Sequence, residues 1–261
     1  MIFDSHCHLL LIEEKGKELF NVIEKSLSNN VNHLLDVSVG LDDFFKRLSK
    51  IEKIREKSEI SIFTSSGIPP FFADKRKKDD LDTLYRQARD NKLVVAIGEI
   101  GLDYYYNYGS HELQIKLLKE QIDVANSLDL PIIIHTRDSD KDLIDTLRSN
   151  PPKMGGVIHC FSSDYAMAKV LFNLGFYISF SGNLTYKKSY NIQEAAKKAP
   201  IDRVLIETDS PYLAPQKYRG RVNEPAFIVE TARYLAELKG IAFEDICNKT
   251  FENTNRLFRI H

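Results

Sequence analysis

Only three cysteines, Cys7, Cys160 and Cys247, occur in the chain, an odd number, far apart and without a Cys-x-x-Cys pair. That excludes a disulfide framework and a cysteine-built zinc module. Neither sign of charge is in excess: 36 Lys and Arg stand against 37 Asp and Glu, a formal net charge of −1. A globally basic nucleic-acid binder is thereby excluded, although a local basic cleft fits inside a neutral total. No apolar run approaches the ~18 residues of a membrane span, and the chain starts with neither a basic n-region nor a long apolar h-region. The expectation is a cytoplasmic protein with no membrane partner. No Gly/Ser-rich or low-complexity linker divides the 261 residues. One domain over residues 1–261 is therefore expected, and a chain of this size removes roughly three quarters of its unfolded surface from water without a staple.

What the chain does have is alternation. Short apolar runs rich in β-branched and aromatic residues alternate with longer segments of helical period, the sign of βα units around a parallel sheet. The runs are Ile2 to Asp4, His33 to Val39, Ile60 to Ser65, Leu93 to Ile97, Pro131 to His135, Val157 to Cys160, Gly175 to Phe180 and Arg203 to Glu207. Helical stretches lie between them, at Gly16 to Leu27, Asp42 to Lys57, Leu81 to Asn91, Gln114 to Leu128, Lys141 to Leu147, Tyr165 to Leu174 and Asn191 to Ala199. Two more, around Ala226 to Leu238 and Phe243 to Phe258, follow the last run. Eight strand–helix repeats predict an α/β fold, a TIM-type (β/α)8 barrel, rather than an open doubly wound sheet. The dense charge run from Lys75 to Asp80 reads as a solvated loop and helix start.

In such a barrel the chemistry sits where strands end and loops lead into helices. Four of the seven histidines fall there: His6 and His8 at the first run, His135 at the fifth and His159 at the sixth. Alternate side chains of a strand point the same way, so His6 and His8 project from one face. Glu99 follows the fourth run and Asp209 stands just beyond the eighth. So many ionisable groups in one buried layer are costly unless they pair or coordinate a metal. The six are read as metal ligands. They exceed what one catalytic zinc takes, and suit two ions bridged by Glu99, whose carboxylate has two oxygens to share. Zn, Mn, Co and Mg all remain compatible, the imidazoles favouring transition metals. Cys7 and Cys160 flank ligands and, by alternation, should face away from them. His33, His111 and His261 are assigned no role.

With these residues in view, the chain resembles the TatD family of metal-dependent deoxyribonucleases in the amidohydrolase-like superfamily. The resemblance spans nearly the whole chain and rests on Asp4 to Leu9, Gly98 to Tyr104, Leu130 to Asp138, Gly156 to Ser162, Glu207 to Pro215, and Arg219-Gly220 with Asn223-Glu224-Pro225. It implies a TIM-type barrel and divalent-metal-dependent hydrolysis of DNA phosphodiesters, in several members as a 3′-to-5′ exonuclease. The family's ligand positions match the same six residues. Three departures bear on substrate preference: Gly67-Ile68-Pro69-Pro70 where Gly-x-His-Pro is common, Arg219-Gly220-Arg221-Val222-Asn223 where Arg-Gly-Lys-Arg-Asn is common, and Ser163 in place of a glycine.

The expected reaction is in-line attack on phosphorus by a metal-bound hydroxide, with two ions, Zn, Mn or Mg, lowering the pKa of the water and neutralising phosphate charge. Asp209 is the candidate general base and Glu99 the bridge. Glu207, two residues before Asp209, is read as orienting a ligand, or as a plain rim carboxylate. Arg137 could grip a phosphate oxygen, or pair with Asp138 or Asp140. Arg219 and Arg221 could hold the next phosphate. Tyr104, with Tyr105 and Tyr106, offers stacking faces for terminal bases; Phe71 and Phe72 do so too unless they pack in the core. The expected partner is DNA, at a single-stranded 3′ end, with a monomer and no obligate protein partner. Deacylation of aminoacyl-tRNA, or another metal-dependent ester or amide hydrolysis, is the alternative.

Overall fold

The structure, a computed structural model, describes residues 1–106 and 108–260; His261 lies outside the described residues. Eight strands form one parallel sheet in chain order. They are β1 (Ile2–Cys7), β2 (Val31–Asp36), β3 (Ser61–Ser66), β4 (Val94–Asp103), β5 (Ile132–Arg137), β6 (Gly156–Ile158), β7 (Tyr177–Phe180) and β8 (Val204–Ile206). The last strand returns to the first through the chain that follows it. Asp209 N–H donates to His6 O at 2.8 Å and His8 N–H to Ser210 O at 2.9 Å. The barrel therefore closes at the level where the candidate site residues stand.

Among the described residues ten α-helices follow in the gaps and at the end: α1 (Leu9–Glu14), α2 (Leu19–Ser28), α3 (Phe44–Arg55), α4 (Asp80–Asp90), α5 (His111–Leu128), α6 (Asp140–Ser149), α7 (Tyr165–Asn173), α8 (Tyr190–Lys198), α9 (Ile228–Lys239) and α10 (Phe243–Phe258). Two apolar layers result. One lies between strands and helices and includes Leu34, Ile97, Ile134, Ile178 and Ile206 with Leu118, Leu171 and Leu235. The other fills the barrel, with Phe3, Leu35, Ala96, Ile133, Val157 and Leu205, and is closed at the strand N-terminal end by Leu257 and Phe258 of α10. Leu35 and Leu34, or Ile133 and Ile134, enter different layers because successive strand residues face opposite ways. Above the inner apolar layer sit small hydroxyls. Ser5 Oγ donates to Ile206 O at 2.9 Å and lies 3.3 Å from Ser179 Oγ, and Ser65 Oγ donates to Gly98 O at 2.5 Å. These hydroxyls, each hydrogen-bonded, carry the interior from hydrocarbon to the ionisable layer.

Two elements differ from the expectation. A short helix, α1, begins directly after His8, so the stretch expected from Gly16 starts later as α2, where Glu18 accepts from Phe20 and Asn21 N–H. Strand β4 runs to Asp103, six residues past the expected Ile97. Its glycines serve close packing: a Cβ at Gly101, whose φ is +145°, would stand 1.9 Å from His135 O. Only a residue without a side chain brings β4 that near to β5.

Candidate metal centre

Glu99 and His135 come from the adjacent strands β4 and β5; His6 is the penultimate residue of β1, and His8, His159 and Asp209 follow the ends of β1, β6 and β8. The structure brings all six together in two groups. In the first, His6 Nε2 and His8 Nε2 are 3.2 Å apart, with Asp209 Oδ1 3.4 Å from His8 and 3.8 Å from His6. In the second, Glu99 Oε1 is 3.0 Å from His135 Nδ1 and 3.1 Å from His159 Nε2, and those nitrogens are 3.4 Å apart. For bonds of ~2.0–2.1 Å a tetrahedral ion sets its ligands about 3.3–3.4 Å from one another, so both groups have the spacing of a shared cation. Glu99 joins them, because its other oxygen, Oε2, lies 3.7 Å from His6 Nε2. Asp209 takes a left-handed backbone, φ 54°, a conformation Asp tolerates better than most residues.

The far nitrogens of these imidazoles matter as much. His8 Nδ1 lies 2.9 Å from Val37 O, His135 Nε2 2.9 Å from Asp103 Oδ2, and His159 Nδ1 3.3 Å from Glu207 Oε1. An N–H donated outward to each acceptor leaves a lone pair on the nitrogen that faces the group. Glu207, fully buried, also accepts from Cys160 N–H at 2.8 Å. Burial alone would raise the carboxyl of Glu99, but His159 and His135 outweigh it and hold that group well below its usual range. The converse holds for His159, which is buried yet pushed well above its usual value by Glu99 and Glu207, so a cation held at its Nε2 would take the place of a proton. His6, buried and facing His159 and His8, is held well below its usual value and stays neutral, the ligand form of an imidazole. The donor set of four imidazoles and two carboxylates, with no thiolate, fits divalent ions of the transition series.

Around this centre lies a cleft of about 720 Å³, walled by Leu11, Val39, Phe71, Tyr212 and Leu213 on its apolar side. Arg137 is its only lysine or arginine among the described residues. The guanidinium lies 3.6 Å from the centroid of Tyr105 and 5.2 Å from that of Tyr106. Both tyrosines are about half exposed.

Other residues singled out by sequence stand elsewhere. Tyr104 is not brought to the cleft: its hydroxyl donates to Asp142 at 2.9 Å and its ring stacks on His111, centroids 3.4 Å apart. The strand alternation that turns Asp103 inward turns Tyr104 outward. Arg219 and Arg221 are exposed on the loop after β8, outside the cleft wall, with Arg219 lying 4.5 Å from the Tyr186 centroid. Cys7 faces outward as expected, but Cys160 lines the cleft, because β6 stops at Ile158 and Cys160 takes a left-handed backbone, φ 45°, that breaks the alternation. Asp103, beside His135, was missed. Its signal was present: had the fourth run been carried past Gly98 and Gly101, alternation would have set Glu99, Gly101 and Asp103 on one side.

A family model described as TatD related DNase matches residues 3–259. The chain belongs to that family. The metal-dependent hydrolase YcfH of Escherichia coli strain K12 is 38% identical over 262 residues, covering 99% of this chain and 96% of YcfH. The metal-dependent hydrolase YabD of Bacillus subtilis is 36% identical over the full length of both. Among solved structures, YjjV, a TatD homolog from Escherichia coli, superposes with a TM-score of 0.88 at 25% identity, covering 100% of this chain and 98% of YjjV. Among the described residues of this TatD-family chain, no helix is long and apolar enough to cross a membrane.

Proposed function

We propose that this member of the TatD family of metal-dependent hydrolases cleaves the phosphodiester bonds of DNA, removing nucleotides from the 3′ end of a single strand. The observation that carries the reading is the direction of the imidazoles: His8, His135 and His159 each direct their far nitrogen to a fixed oxygen acceptor and the near one to a shared point. In this reading His6, His8 and Asp209 would hold one divalent ion and His135 and His159 a second, with one carboxylate oxygen of Glu99 facing each group. When bound, two ions, Zn, Mn or Mg, acidify a water and take up charge growing on phosphate oxygens.

The chain's own groups do the rest. Asp209, at the edge of the cleft, accepts the proton of the attacking water as general base. Glu207, Asp103 and the Val37 carbonyl keep three imidazoles in one tautomer and orientation, so the centre does not reorganise during the reaction. Arg137 presents its N–H edge to a non-bridging phosphate oxygen while its face rests on Tyr105. The exposed faces of Tyr105 and Tyr106 stack on bases at the end of the strand. Arg219 and Arg221, beyond the cleft, meet a phosphate farther along. One chain supplies every group named, so a monomer is the proposed working unit.

The test is a time course on a 5′-labelled single-stranded oligonucleotide beside a misacylated tRNA, with metal-stripped protein refilled with Zn, Mn or Mg. The expected result is a ladder shortening one nucleotide at a time from the 3′ end with an intact ester control. An intact oligonucleotide with every metal, together with release of the amino acid from tRNA, would move the assignment to ester hydrolysis.

A further inference from the structure

A second recess, of about 400 Å³, opens beside the catalytic cleft between the loops that follow β2 and β3. Val39 belongs to the walls of both cavities. The consecutive phenylalanines divide between them: Phe71 lines the cleft, Phe72 lines the recess, and their rings are 5.0 Å apart. Leu41 and the buried Ile68 complete an apolar wall against which Phe72 remains 37% exposed. Gly40 keeps that wall flat, since a Cβ there would come within 3.3 Å of the Phe72 ring.

The charges at the recess largely cancel. Three carboxylates, Asp42, Asp43 and Asp80, stand against Lys75, Lys77 and Arg47: Asp43 is paired with Arg47 Nε at 3.1 Å, Asp42 faces Lys77 Nζ at 3.5 Å, and Asp80 accepts from the backbone N–H of Lys77 at 2.7 Å. Lys75 makes no ion pair among the described residues. A flat apolar slot with balanced charge suits a neutral planar ring rather than a phosphate, and a free ammonium at its lip suits the phosphate attached to such a ring. The opposite side of the cleft is of another kind. There a recess carries the carboxylates of Asp138 and Asp140, which repel a continuing phosphodiester chain.

We propose that the recess is a nucleobase subsite: the strand continues from the metal centre across Val39, stacks one base on Phe72 and sets the adjoining phosphate against Lys75. The proposal rests on the nuclease reading and extends it to the course of the strand.

The test compares a dinucleotide, a trinucleotide and bis(p-nitrophenyl) phosphate as substrates of the metal-loaded protein and of its Phe72→Ala and Lys75→Glu variants. In the unaltered protein the third nucleotide should lower KM roughly tenfold, the size of one stacked base. Phe72→Ala and Lys75→Glu should each erase most of that gain and leave turnover of bis(p-nitrophenyl) phosphate unchanged. A phosphorothioate trinucleotide carrying 2-aminopurine supplies a binding readout, its fluorescence quenched by the unaltered protein and not by Phe72→Ala. Should Phe72→Ala not fold, Lys75→Glu and the quenching in unaltered protein decide alone. Unaltered protein that cuts oligonucleotides with no gain from the third nucleotide, or variants that keep the full gain, would overturn the subsite and leave the nuclease standing. Hydrolysis of bis(p-nitrophenyl) phosphate without cleavage of either oligonucleotide would remove both.

Discussion

At the scale of the residue, the candidate ligands are arranged from behind. Asp103 Oδ2 lies 2.9 Å from His135 Nε2 and so holds the ring from the side away from Glu99, and Asp103 is itself fixed by N–H donors of Tyr105 and Tyr106 at 3.0 and 3.2 Å. Asp103→Asn keeps the shape and removes the charge. It should weaken binding of one ion by about 10- to 100-fold while the ion at His6, His8 and Asp209 keeps its affinity. Stepwise metal titration followed by calorimetry reads both, and two unchanged affinities would show that Asp103 does not orient His135. That these six candidate ligands would be brought together was legible in the sequence, because each stands at or just past the end of an apolar run, where the barrel rule places it. Asp103, Tyr104 and Cys160 were not. The first two depend on where β4 ends, and the third on a left-handed residue that period-two counting does not anticipate.

Among the elements, β4 and α10 show what runs of apolar residues conceal. The glycines of β4 look like a break, yet their reason is contact across the sheet: Gly98 and Gly101 pack against Ile133 and the His135 backbone, and that packing is visible only when β5 is in place. Helix α10 was legible to the residue, but its role in closing the barrel floor was not, since amphipathic period does not say which surface the apolar face meets. Its Phe251 packs edge-on against His33, centroids 4.9 Å apart, with Phe3 and Phe63 around the same imidazole. Burial, together with the nearby N-terminal amino group, lowers the pKa of His33 from its usual 6.5. Folding thus favours the neutral ring. Its contribution is complete above about pH 6.5 and is lost as the pH falls through that value toward the lowered one, since only the unfolded chain takes up the proton. Metal-free protein should therefore lose stability between pH 7 and 5 more steeply than a His33→Gln variant, both having the same ligand histidines. Urea midpoints across that range test this, and parallel curves would exclude His33 as the cause.

For the whole molecule, closure is what turns eight separate strand ends into one site. The hydrogen bonds of His8 and Asp209 to Ser210 and His6 draw the first strand and the last loop together, so residues far apart in sequence, His6, His8 and Asp209, stand in one candidate ligand group. Fold class was legible at this scale because the alternation of runs repeats eight times. The neighbouring cavities were not, since they arise from loops whose paths no periodicity describes. The most direct test is to count the ions in refilled protein and in Glu99→Ala while following release of nucleotides from a single-stranded 3′ end. If Glu99 spans two ions, unaltered protein holds two per chain with cleavage appearing as the second binds. Glu99→Ala then holds at most one and cleaves at least about a thousandfold more slowly, as loss of a metal-centred charge stabilisation implies. A fully active protein with a single ion, or a Glu99→Ala variant that keeps two ions and its rate, would contradict it.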